Sequence, residues 1–277
     1  MLNRTLLICS LSISLIAPAV LLAQTSSTAP KATAPAVANQ APKAKSKAEA
    51  VAVRKLQKMA TDDATTPAEM DTALTNFATQ FPDSEFLGAV AAFGLRYYQT
   101  FPHKDYEKSL IYGEQAIQHD PNSVYALTTV GTIIAGHVQS TDLDRAQRVA
   151  EATKDDQAAI QVANTAGPKI NGQPFPQSAR NLTKAFAYIS LAELATKDKD
   201  YGAAVSDYQQ AANFDAPPSN ANDYFLMARV QVEAKQYKAA LSSLDMAAKA
   251  APNNPQVQAL VASNRKVIQE IEKQNGQ

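Results

Sequence analysis

The chain has no tryptophan, one cysteine and three histidines among 277 residues, and each shortage closes off a class of explanation. Aromatic residues make up only 7% of it, too little for the aromatic and β-branched alternation of a β-sandwich core. The lone cysteine, Cys9, falls in a segment expected to be removed, so the mature chain is expected to hold neither a disulfide nor a thiolate nucleophile. A lipid-attachment role for it is rejected, because the bulky Ile8 stands where Gly, Ala or Ser is needed. His103 falls in an expected turn, and His119 and His137 fall at expected helix ends, where contacts with the helix dipole and its last carbonyls explain them. No glycine-rich phosphate cradle, no G-x-S-x-G and no H-E-x-x-H occurs, so the sequence offers no catalytic constellation, cofactor site or metal site. Asp198-Lys199-Asp200 opens like a calcium loop but lacks its third acid and its glycine, and Gln209 stands where the bidentate Glu belongs. Asn181-Leu182-Thr183 matches a glycosylation sequon but sits within an expected helix. The formal net charge is zero, which gives no footprint for nucleic acid.

What the chain does have is alanine-rich helical material, 45% hydrophobic overall. Residues 1–23 read as a signal peptide. Arg4 supplies a positive start, Thr5 to Ile16 form an apolar run, and Ala17-Pro18-Ala19 and Leu21-Leu22-Ala23 offer small-residue cleavage sites. That run is short of the ~20 residues a membrane-spanning helix needs. The expectation is export to the periplasm or beyond, with an uncleaved membrane anchor as the alternative. Residues 24–47 are built from Ala, Pro, Thr, Ser and Lys and read as a disordered linker. Residues 1–48 hold five of the 26 basic side chains and none of the 26 acids, leaving a mildly acidic remainder of 21 against 26.

From about residue 48 the pattern is helix, short turn, helix, and it repeats. Tyr188-x-x-Leu191-Ala192, Asp200-Tyr201-x-x-Ala204 and Tyr208-x-x-Ala211 recur 36 residues later as Tyr224-x-x-Met227-Ala228, Gln236-Tyr237-x-x-Ala240 and Leu244-x-x-Ala247. Earlier versions are Phe93-Gly94-x-x-Tyr97 with Asp105-Tyr106-x-x-Ser109 and Gly113-x-x-Ala116, then Val130-Gly131-x-x-Ile134 with Leu143-x-x-Ala146. Both have a turn about three residues longer. Ala73, Phe77 and Phe81-Pro82 end a degenerate first copy. The pattern closely resembles the tetratricopeptide repeat. That resemblance implies an all-α, right-handed superhelical solenoid over 48–273, with units at about 48–83, 84–121, 122–165, 177–218 and 220–254. Small residues (Gly94, Gly131, Ala192, Ala228, Ala204, Ala240) would let paired helices close up, with Tyr201 and Tyr237 filling the turn. Val257, Leu260, Val261, Val267, Ile268 and Ile271 form one stripe of a capping helix over 255–273.

Residues 154–176 interrupt the repeat. Ala158 to Ala163 are able to extend the preceding helix, but Gly167-Pro168, Asn171-Gly172 and Pro174-Phe175-Pro176 enforce a loop. The resemblance also implies a ligand groove along the first helices of the pairs, and carrying the alignment over places Tyr98, Tyr125, Phe186, Ile189, Glu193, Phe225, Arg229 and Val232 in it. The Lys and Asn cluster with which the family's best-known readers clamp a terminal carboxylate is missing, since Ala91, Leu95, Thr128, Thr132, Ile189, Glu193, Phe225 and Arg229 occupy those positions. The expected function is therefore a non-catalytic scaffold or adaptor in the cell envelope that binds a segment of another protein, with an anchored envelope-structural or assembly factor as the alternative. Neither reading involves nucleic acid, and a membrane enters only if the leader is retained.

Overall fold

The computed structural model describes residues 41–275. The expected signal peptide at 1–23 and the expected linker up to residue 40 lie outside the described residues. Eleven helices follow, paired along the chain: α1 (Lys47–Met59) with α2 (Pro67–Gln80), α3 (Leu87–Gln99) with α4 (Tyr106–His119), α5 (Val124–His137) with α6 (Arg145–Thr165), α7 (Gln177–Lys197) with α8 (Tyr201–Phe214), and α9 (Ala221–Glu233) with α10 (Tyr237–Ala250). A long helix α11 (Pro255–Gln274) closes the described residues. Each helix packs against its sequence neighbours, and α5 also meets α7. The architecture is an all-α solenoid.

Local chemistry sets the helix ends. Thr66 and Glu69 form a reciprocal capping box in front of α2, with Pro67 in the first turn, where a missing N–H costs nothing. Asp105, Asp200 and Asn254 accept hydrogen bonds from the first-turn amides of α4, α8 and α11. The turns of the last two pairs are the same object repeated 36 residues apart. Lys199 and Lys235 both adopt left-handed backbone, at φ 61° and 60°. Around them, the Asp200 N–H donates to Ala195 O at 2.9 Å and the Gln236 N–H to Gln231 O at 2.7 Å. This is the reverse-turn closure that satisfies the last carbonyls of a helix.

The small residues carry the close approaches. A Cβ at Gly94 would stand 2.7 Å from Tyr112 Cγ on α4, and one at Gly113 would stand 2.4 Å from Val130 Cγ2 on α5. Ala192, Ala204 and Ala240 are fully buried, and Ala228 and Tyr237 nearly so. The core is accordingly a chain of local clusters, from Leu56, Phe77 and Tyr97 at the N-terminal end to Leu244, Val261 and Ile268 beneath α11.

The interruption resolves into two parts. Residues 154–165 continue α6, and the rest contains a small antiparallel ribbon of β1 (Lys169–Ile170) and β2 (Gln173–Pro174), a departure from a purely helical chain. Asn171 and Gly172 turn it with φ of 55° and 85°, the two positive values a tight hairpin needs and these residue types supply. Ile170 and Phe175 on either side of the turn are buried against Ala163, so the insertion is packed down. The Asn171 side-chain amide also donates to Asp120 Oδ2 at 3.2 Å.

The last residues of the expected linker are likewise held in place. The Lys43 N–H donates to Glu85 Oε2 at 3.0 Å, and the Lys45 ammonium donates to the Asp83 carbonyl. Glu49, 1% exposed, accepts from the Ser84 hydroxyl at 2.5 Å, and its carboxyl lies below the ordinary range chiefly because of that bond.

Candidate partner-binding groove

The eight residues assigned to the groove stand on α3, α5, α7 and α9, and the structure sorts them into three kinds. Tyr98 is a correction. It is 1% exposed and stacked on Tyr112, and its hydroxyl donates to Asp71 Oδ1 at 2.6 Å. Asp71 on α2 also accepts from the Tyr112 hydroxyl at 2.9 Å and pairs with Lys108, whose ammonium lies over the Tyr98 ring. Tyr98 is thus part of a polar clip that ties α2, α3 and α4 together, and no surface of it is left to meet a ligand. In the sequence it follows the small-residue pattern like any groove position, and the deciding partner, Asp71, lies 27 residues upstream.

Tyr125, Ile189, Phe225 and Val232 are half-buried and touch the core from one side. Tyr125 leans on the cluster of Ala91, Leu95 and Ala126, and burial pushes its phenol up to about 12. Ile189 packs beside Ala192 and Tyr208, while Phe225 and Val232 pack beside Ala228 and Tyr237. Phe186 is half-buried on the same helix as Ile189.

Glu193 and Arg229 are the charged members. Both are half-buried, and the Glu193 carboxyl is raised by burial against the attraction of Arg229 and Lys197. Between them lies Tyr208 from α8, a residue the repeat alignment treats as packing. It is fully buried, its phenol is raised first by burial and then by Glu193, and Arg229 also faces it. Arg229 Nε is buried and makes no hydrogen bond within the described residues. Arginine at a half-buried position is the residue type that pairs with a carbonyl or carboxylate brought from outside.

Other residues weighed for chemistry have structural work. Asp200 caps α8, and Asp198 pairs with Arg145 on α6. The Asn181 side-chain oxygen accepts from Gln177 at 2.7 Å within α7. His103 stacks on Tyr97 with ring centroids 4.6 Å apart, and His137 rests on Tyr106. Burial and the neighbouring Lys104 and Lys197 hold the His137 imidazole below its ordinary range. A polar cleft of about 140 Å³ opens where the α1–α2 turn meets the end of α3, lined by Asp62, Asp63, Arg96, Tyr97 and His103. None of the described helices is long and apolar enough to cross a membrane.

Comparison with known proteins places a family on part of this geometry. Residues 195–263, from the last turn of α7 into α11, match the family described as tetratricopeptide repeat. No curated protein matches the chain.

Proposed function

We propose that this chain, a tetratricopeptide repeat protein, is a non-catalytic scaffold that holds an extended or helical segment of another protein along α7 and α9. Tetratricopeptide repeats mediate protein–protein interaction in general. The observation that carries the finer reading is the mixed face made by Phe186, Ile189, Glu193, Phe225, Arg229 and Val232. Its side chains are neither sunk in the core nor fully exposed, and Glu193 and Arg229 set opposite charges among the apolar ones. Aromatic and arginine anchors on a half-buried surface are the residue types that dominate binding energy at protein interfaces. With Glu193 beside Arg229, the face suits an amphipathic segment that presents both an acceptor and a donor.

The test is affinity capture from the native envelope with the full chain, its Arg229→Ala and Phe225→Ala variants, and Ile111→Ala as an exposed control. Circular dichroism must show all four folded. We expect recovery of a bound partner to fall about tenfold or more for Arg229→Ala and Phe225→Ala, as interface anchors do, and to stay level for Ile111→Ala. Equal recovery by all four would remove the groove reading.

The proposed location is the periplasm or the exterior, on the strength of the leader-like residues 1–23. If those residues stay attached, the chain becomes an anchored envelope component. Cell fractionation separates the two, since release in soluble form with a shortened N-terminus would end the anchored reading.

A further inference from the structure

Asp156 is the most anomalous side chain among the described residues. It lies in the middle of α6 and is 0% exposed, and neither carboxyl oxygen has a hydrogen-bond partner. It is pressed against α5 so closely that a Cβ on Gly131 would stand 2.4 Å from its Oδ1. From α7 the Ser190 hydroxyl faces it, itself buried with no hydrogen bond formed.

No cation answers this carboxyl from either helix that packs on α6. The titratable groups of α5 are Tyr125 and His137, and His137 rests on Tyr106 at the far end. On α7, Arg180 donates to Ala166 O at 2.9 Å, Lys184 lies over the Phe214 ring and Tyr188 stacks on Phe214. Further along α7, Lys197 donates to the Gly136 and Val138 carbonyls, and Glu193 faces Arg229. On α6 itself the next residue is Asp155, whose own neighbours are Lys154, Glu151 and, from α4, Glu114. An ionised carboxylate without a partner in such a place costs far more than a protonated one. A protonated one escapes that cost.

We infer that Asp156 is a proton-operated latch between the third and fourth helix pairs: protonated, it closes α5, α6 and α7 around itself, and ionised, it loosens that junction. Burial raises Asp156 well above its ordinary value and pushes its chain neighbour Asp155 up to about 6. The sign follows from linkage. The folded chain holds this proton more tightly than the unfolded chain, whose Asp titrates near 3.8. Stability is therefore greatest at low pH and declines as pH rises through the folded value. Because α7 carries Phe186, Ile189 and Glu193 as well as Ser190, loosening the junction also moves one wall of the proposed groove.

The experiment is amide hydrogen exchange of the full chain at pH 5.5 and 7.5, corrected for intrinsic rates and read over residues 124–137 and 177–197. Wild type should lose about tenfold or more of its protection there at the higher pH, while Asp156→Asn, neutral at both, should hold it constant. Ser190→Ala keeps the acid but withdraws the one hydroxyl that favours its charged form, so protection should be lost at a higher pH than in wild type. That displacement is independent of whether Asp156→Asn folds well. Unchanged wild-type protection, the same pH dependence in Asp156→Asn, or an unshifted profile in Ser190→Ala would each overturn the latch. The readout does not involve a partner, so failure of the groove reading would leave this result intact.

Discussion

At the scale of single residues, glycine in this chain is decided by what stands opposite it. Gly131 and Gly136 are five residues apart on α5, and helix propensity alone predicts that alanine improves both. The neighbours disagree. A methyl group at 131 runs into the Asp156 carboxyl, whereas nothing lies within 4 Å of one at 136. Gly131→Ala should cost about 1–3 kcal/mol through forced displacement of α6, and Gly136→Ala should gain about 0.5 kcal/mol. Urea unfolding of the two variants checks this, and a stabilised Gly131→Ala would mean that α6 does not pack as described. Gly131 was recognisable in the sequence as a close-approach position, because the repeat pattern calls for a small residue there. That the residue approaching is an acid was not recognisable, since Asp156 lies 25 positions away, past the point at 154 where the repeat pattern is interrupted.

Between helices, the junctions are held by different chemistries, and pH separates them. The Asp71 clip binds α2 to α3 and α4 through one carboxylate that accepts from two phenols and an ammonium. Burial acts to raise that carboxyl, but the bonds from Lys108, Tyr98 and Tyr112 outweigh it and hold the group below its ordinary range. Its stabilisation is therefore present above about pH 4 and is lost as pH falls through the depressed value, opposite in sense to the latch. Asp71→Ala leaves the Tyr112 phenol and the Lys108 ammonium short of an acceptor, while Tyr98 keeps the Pro67 carbonyl at 3.3 Å, and should cost about 1–2 kcal/mol at neutral pH, with the loss shrinking in acid. Thermal unfolding at pH 7 and pH 3.5 measures both statements, and a loss that is equal at the two would show that the carboxylate charge is irrelevant to the clip. The Asp223 carboxyl, 1% exposed on α9 with one oxygen unpartnered, is pushed up to about 7 and adds to the acid-favoured side.

For the whole molecule, the decisive feature is that its core is divided among junctions, so each end must be covered. The C-terminal cover is α11, whose Val261 and Ile268 are buried against Tyr237, Leu244 and Ala247. Ending the chain after Asn254 exposes that face of α10, and a repeat array without a polar-backed terminal helix associates through it. The truncated chain should keep most of its helical circular dichroism per residue while eluting as oligomers in size-exclusion chromatography. A monomer with an unchanged unfolding midpoint would show that α11 is not a cap.

The sequence by itself determined the helical class, the pairing of helices and the repeated turns, because these depend on local periodicity and capping. Asp-Tyr openings, small residues at fixed spacing and proline or aspartate at helix ends act over one or two turns of chain, and the 36-residue echo makes them visible. Tertiary structure decided which repeat-pattern positions are free. Tyr98 and Val232 hold matching places in the repeat, four residues after Gly94 and Ala228, yet a carboxylate on α2 draws Tyr98 into the core while Val232 stays half-buried. It likewise decided that the Asn171-Gly172 segment lies packed against α6 and that Asp156 has no cation to meet it. Burial and charge pairing are sums over neighbours from several helices, and those neighbours exist only once the helices have stacked.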